Sequence, residues 1–137
     1  AIFDSSMKDY YPGSTRLWFD GFEKLTTIEG IKNLNTDNVT NMGGMFSGCK
    51  LLTTLDVSDF KTQNVIYMDY MFDEAKSFNQ SLNLWDVSNV KNMHCMFCEA
   101  KSFNQDLSMW KVRGTTFTVN MFLGSPLENR KPKWEGH

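Results

Sequence analysis

Asn38-Val39-Thr40-Asn41-Met42-Gly43-Gly44-Met45-Phe46-Ser47-Gly48-Cys49 decides how the chain is read, because its frame returns along the sequence. Met-Phe recurs at Met45-Phe46, Met71-Phe72, Met96-Phe97 and Met121-Phe122. Asn-Val recurs at Asn38-Val39, Asn64-Val65 and Asn89-Val90, with Met42, Met68 and Met93 three residues after each Val. A small residue follows at Cys49, Ala75 and Ala100, then Lys50, Lys76 and Lys101, then Leu52, Phe78 and Phe103. Glu-Ala-Lys-Ser-Phe-Asn-Gln stands complete at 74–80 and again at 99–105. A fixed period of roughly 25 residues marks stacked repeats, each unable to bury its apolar face alone. Working backwards, Lys24-Leu25-Thr26-Thr27-Ile28 aligns with Leu51-Leu52-Thr53-Thr54-Leu55, which sets Trp18-Phe19 in the Met-Phe column. The chain thus reads as one repeat domain over 1–137, with an N-terminal cap at 1–17, repeats over 18–122 and a C-terminal cap over 123–137. Ala1-Ile2-Phe3 would add an edge strand, and Trp134 would be the last core aromatic after Trp85 and Trp110.

Within a unit, apolar residues at 39, 42, 45/46 and 49 follow helical spacing. Gly43, Gly44 and Gly48 limit that helix to a short or distorted one. Leu55 and Val57 then alternate with polar neighbours as a strand does, in a frame of the leucine-rich-repeat kind, L-x-x-L-x-V-x-x-F. The expected fold is therefore α/β: a leucine-rich-repeat-like solenoid of about five coils, each a short helical turn plus a short parallel strand, with terminal caps. Strand spacing of ~4.7–4.9 Å would make it roughly 20–25 Å long.

With 14 basic and 16 acidic residues, the formal net charge is -2, so no basic field holds a nucleic acid. Apolar runs are only a few residues long, too short for membrane insertion by this segment. Ala1-Ile2-Phe3-Asp4-Ser5 is not a signal peptide, and the missing initial Met reads as a processed chain or an excised domain.

Each repeated column has a structural reading beside a functional one. Asn38, Asn64 and Asn89 form a ladder whose amides would bond turn backbone between units. Lys50, Lys76 and Lys101 would stack about 5 Å apart as a solvated stripe beside acids. Cys49 shares a column with alanines and reads as buried. Cys95 and Cys98 form a lone C-x-x-C beside His94 and read as at least partly exposed. Such a pair could hold a metal or cycle through a disulfide, but zinc needs about four ligands and no second pair exists. No metal site and no cofactor is assigned. With two histidines and no G-x-S-x-G, P-loop or H-E-x-x-H, the chain reads as no enzyme, with no catalytic residues. What remains is the polar face of the expected sheet: Thr54, Asp56 and Ser58, then Gln80, Ser81 and Asn83, then Gln105, Asp106 and Ser108, with Thr27 and Glu29 extending the row. These are the candidate partner-binding residues.

Asn-Val-x-x-Met-x-x-Met-Phe followed by Ala-Lys-Ser-Phe-Asn-Gln-x-Leu-x-x-Trp resembles the repeats of BspA-like leucine-rich-repeat surface proteins, also carried by many mycoplasma lipoproteins. The resemblance covers roughly residues 16–134 and includes the Gly-Ser-Pro-Leu…Pro-Lys-Trp ending. It implies an extracellular or cell-surface location and an adhesin-like, non-enzymatic interaction module. The partner would be a protein or glycan on host or neighbouring cells, and this segment would be part of a longer chain. The alternatives are a structural spacer or stalk in a larger surface protein and, behind it, a thiol or metal site at Cys95/Cys98.

Overall fold

The computed structural model describes residues 2–137. Its backbone is built from turns. Met45 donates its N–H to the Met42 carbonyl and Cys49 donates to Phe46, so two consecutive four-residue turns fill 42–49. Their third residues, Gly44 and Gly48, have φ of 62° and 75°, the left-handed value a type II turn needs there. The same two turns recur in every repeat, with left-handed pairs at Leu17/Gly21, Tyr70/Glu74, Cys95/Glu99 and Asn120/Gly124.

Between the turn bonds, alternate N–H groups point to the next repeat. Thr15, Leu17, Phe19 and Gly21 donate to the carbonyls of Asn41, Gly43, Met45 and Ser47. Met42, Gly44, Phe46 and Gly48 donate in turn to Tyr67, Asp69, Met71 and Asp73. Two further joints repeat this down to Phe117, Val119, Met121 and Leu123, with N···O distances of 2.7–3.3 Å throughout. All these bonds run one way, from a repeat to the one that follows it.

This overturns the expected α/β class and the leucine-rich-repeat-like solenoid of five helix-plus-strand coils. Among the described residues the helices are two short 3-10 pieces, Ser5–Asp9 and Ile31–Asn33. Parallel pairing among the described residues is confined to isolated bridges such as Thr27 with Thr54 and Tyr67 with Asn92, with no sheet among them. The cause is local. A helix needs every N–H for its own carbonyls four residues back, whereas here every second N–H leaves for the neighbouring repeat and two residues per repeat are left-handed. Apolar spacing of three suits successive turns as well as it suits a helix.

The expected strand Leu52–Phe60 fails for another reason. Asp56 takes the Ser58 N–H at 3.1 Å and Val57 takes that of Phe60, so its amides are spent in local turns. Asp86 with Ser88 and Asp106 with Ser108 repeat that Asp-x-Ser turn at 3.0 and 2.9 Å. The expected N-terminal edge strand reduces to one bridge, Ile2 with Glu29, beside a Phe3 N–H to Glu29 bond; Ala1 lies outside the described residues.

The core follows the repeated columns. Phe19, Phe46, Phe72, Phe97 and Phe122 form a file of near-parallel rings 5.6–5.8 Å apart. Phe78 and Phe103 stack beside it, at 4.3 and 4.1 Å from Phe72 and Phe97. The methionines of both Met columns are buried with them, adaptable side chains that fill the gaps between flat rings. On the far side Trp85, Trp110 and Trp134 donate their indole N–H to Val57, Leu82 and Leu107 at 2.9–3.0 Å, one repeat back each time. Trp134 stacks on Trp110 and closes the core. No helix among the described residues is long and apolar enough to cross a membrane.

Candidate functional site

The polar row lies at the surface, on loops rather than on a sheet face. Thr54, Asp56, Ser58, Gln80, Ser81, Asn83, Asp106 and Ser108 are exposed, and Gln105 is half-buried. Most of their polar atoms already have partners within the chain. Asp56 accepts from the Ser58 hydroxyl at 2.6 Å and pairs with Lys32 at 3.1 Å. The Ser58 bonds, with Lys32 second, hold the Asp56 carboxyl down at about 2. Ser81 donates to Asn83 at 2.8 Å, and Gln105 donates to the Asn79 side chain and carbonyl at 2.9 and 3.2 Å. Gln80 reaches the Thr53 carbonyl at 3.4 Å. These residues tie loops and neighbouring repeats together. Leu84 and Met109, one repeat apart in the same column, stand beside the row with 79% and 78% of their surface in water, an apolar pair that strand-like alternation did not single out.

A second surface, on the turn side, went unnoticed in the sequence. Tyr70 meets His94 edge-on at 5.1 Å, and His94 lies 5.5 Å from Phe117. Tyr70 and Phe117 are each at least 40% exposed, as is Tyr67 nearby. His94 is fixed by a 2.8 Å contact from Nδ1 to the Val119 carbonyl. The result is an aromatic strip across three repeats, presented by a backbone whose amides are already bonded. Its signal in the sequence was the mixed column of Gly44, Tyr70 and Cys95, which lies off the apolar stripe and reads as at least partly exposed.

The remaining candidates resolve into structure. The Asn64 amide donates to the Asp37 carbonyl at 2.8 Å and the Asn89 amide to Gln63 at 2.6 Å, so the ladder bonds backbone between repeats. Lys50 pairs with Glu23 at 2.9 Å and Lys101 with Glu99 at 2.7 Å. Cys49 is buried, its thiol 3.1 Å from the Phe19 carbonyl; burial, with Asp20 nearby, pushes that thiol up to about 11. Cys95 and Cys98 are joined in a disulfide with Cα atoms 4.7 Å apart. Cys98 is buried, against the expectation of exposure, with its sulfur 2.9 Å from the Asn120 carbonyl of the last repeat. A joined pair offers no free thiolate to a metal. Asp73 is half-buried near Glu74, Glu99 and Asp20; burial first and those charges second raise its carboxyl to about 6. No group of acids, histidines and cysteines among the described residues has the arrangement of a metal site.

At the C-terminal end a cavity of about 450 Å³ is lined by Thr118, Asn120, Phe122, Lys131 and Trp134, among others. It adjoins the last pair of turns. No curated protein and no solved structure matches the chain. The model of one family, described as mycoplasma proteins of unknown function, DUF285, matches residues 15–134, from the first turn of the stack to its closing tryptophan. The chain belongs to that family.

Proposed function

We propose that the chain is a non-enzymatic interaction module of a surface protein, akin to the BspA-like surface proteins and adhesin-like in role. The observation that carries this reading is the Tyr70–His94–Phe117 strip, with Tyr67 beside it: exposed aromatic area on a backbone already bonded. Tyrosine-rich patches anchor partners because they bury much surface at little entropic cost. The partner would be a protein or glycan on a host or neighbouring cell, and the polar row with Leu84 and Met109 would form a second, weaker contact. Repetition of modules would raise the avidity of a weak site.

Two experiments test this. Protease shaving of intact cells that make the protein should release its peptides while cytosolic markers stay protected; protection until lysis would end the surface reading. A screen of matrix proteins and glycans with the purified chain should then find a ligand that Tyr70→Ala/Phe117→Ala binds at least about tenfold more weakly. Unchanged binding by that variant would move the site away from the strip. A spacer role is the second reading, favoured by the polar row's internal bonds, such as Asp56 to Ser58 and Ser81 to Asn83. A chain at the cell surface that binds nothing in the screen would support it.

A further inference from the structure

The two ends of the turn side are the two halves of one joint. In each of the four internal joints, the first, third, fifth and seventh residues of a turn pair donate N–H groups to the following repeat. In the last repeat those positions are Thr118, Asn120, Phe122 and Gly124. Gly124 donates to the Glu128 carboxylate at 3.2 Å. The N–H groups of Thr118, Asn120 and Phe122 have no acceptor among the described residues, and all three residues line the terminal cavity. In the first repeat the matching acceptors are the carbonyls of Ser14, Arg16, Trp18 and Asp20, and none receives an N–H from the described residues.

We infer that these edges are an interface between copies of this chain: the Thr118–Phe122 edge of one copy docks on the Ser14–Asp20 edge of the next, head to tail. The register argues for a second copy over a simple extended peptide. A strand advances ~6.6–6.8 Å every two residues, whereas the donors at 118, 120 and 122 follow a path folded by type II turns. A segment folded in the same two turns matches it, and residues 15–22 are such a segment, left-handed at Leu17 and Gly21. Both edges also carry exposed apolar side chains, Leu17 and Phe22 on one and Phe117, Val119 and Leu123 on the other. Phe3 and Trp134 lie over the ends of the phenylalanine file, so the contact is confined to the turn side. A heterologous contact of this kind does not close on itself and gives open chains.

In the joined register Leu123 falls one repeat before Asp20 of the following copy. Leu123 is exposed, and its column holds Asp at 20 and at 73, so a charge there is compatible with the fold. Sedimentation velocity on the 137-residue protein, from micromolar to roughly 1 mM, should give a mean mass that keeps rising with concentration. Leu123→Lys should associate more tightly than Leu123→Asp, by up to about fivefold at low salt. Comparing the two charged variants cancels the apolar contact both have lost, and circular dichroism checks that each is folded. A monomer at every concentration, a mass that stops at a dimer, or equal association by the two variants would each overturn the interface. Failure here leaves the aromatic-strip reading untouched, since that rests on ligand binding by single copies.

Discussion

The two sides of each repeat are held in different ways. The turn side, 42–49 and its counterparts, is joined by main-chain bonds, four to a joint, whatever side chains it displays. The tryptophan side, 52–62 and its counterparts, is joined mainly by side chains: the indole N–H of Trp85 on Val57, the Thr62 hydroxyl on Asp86 at 3.0 Å, the Lys61 N–H on the Thr36 hydroxyl at 2.7 Å. The lesson concerns tolerance. Where backbone carries the joint, the sequence is free to vary, and the left-handed columns hold Gly, Leu, Tyr, Glu, Cys and Asn. Where side chains carry it, the joint depends on residue type: Trp85, Trp110 and Trp134 supply an indole N–H that Phe60, in the same column, cannot.

The largest expected effect lies where both sides meet. Phe72 touches Phe46, Phe97, Phe78 and Trp85 and is fully buried. Phe72→Ala should cost about 3–5 kcal/mol by chemical denaturation. A loss under about 1 kcal/mol would mean that the two sides do not share a core. Trp85→Phe keeps much of the ring but loses the indole bond to the Val57 carbonyl, which retains the Phe60 N–H, and should cost about 1 kcal/mol. If it costs nothing, the tryptophan side is not joined as described. The turn side should respond in the opposite direction. Glu74 sits at φ 56°, so Glu74→Gly should stabilise by about 1 kcal/mol, the 4.0 Å Lys50 pair it gives up being worth little. A loss would show that side chains matter there too. Thr15→Val should add a similar amount, because the buried Thr15 hydroxyl has no partner among the described residues and valine keeps its shape.

The smallest effect concerns pH. Folding raises the Asp73 carboxyl from 3.8 to about 6. The folded chain therefore binds the proton more tightly than the unfolded one. The contribution is complete below the unfolded pKa and is lost as pH rises through about 6. Asp56 on the tryptophan side runs the other way: held at about 2, it contributes above 3.8 and loses that as pH falls. Melting temperatures from pH 4 to 6.5 for Asp73→Asn should fall less with rising pH than those of the parent. Parallel curves would remove Asp73 from the account.

The repeat, its register and its core were legible in the sequence. Met-Phe recurrence placed Phe46, Phe72, Phe97 and Phe122 in one file, and Trp134 was found as the closing aromatic. Local conformation was misread because apolar spacing does not report where the amides go. Gly21, Gly44, Gly48 and Gly124 did mark the left-handed columns. Leu17, Tyr70, Glu74, Cys95, Glu99 and Asn120 fill the other places in them and hid the pattern. Asp56-x-Ser58 looked like strand alternation, yet an Asp whose side chain takes the N–H two residues on makes a turn. The aromatic strip escaped notice since Tyr70, His94 and Phe117 come from different columns and meet only through stacking across repeats.

The one-way joints have an electrical consequence. In every repeat the four turn-side peptide units that link neighbours point carbonyl toward the first repeat and N–H toward the last, outnumbering reverse links such as Ile66 N–H to the Thr40 carbonyl. Each peptide has a dipole of about 3.5 D, and aligned units add. In an α-helix that sum makes the N-terminal end positive. Here the sense is reversed: the main chain lends partial negative charge to the Ser14–Asp20 end and partial positive charge to the Thr118–Phe122 end. The molecule is therefore polar along its length by backbone alone, independently of a formal side-chain charge of only -2.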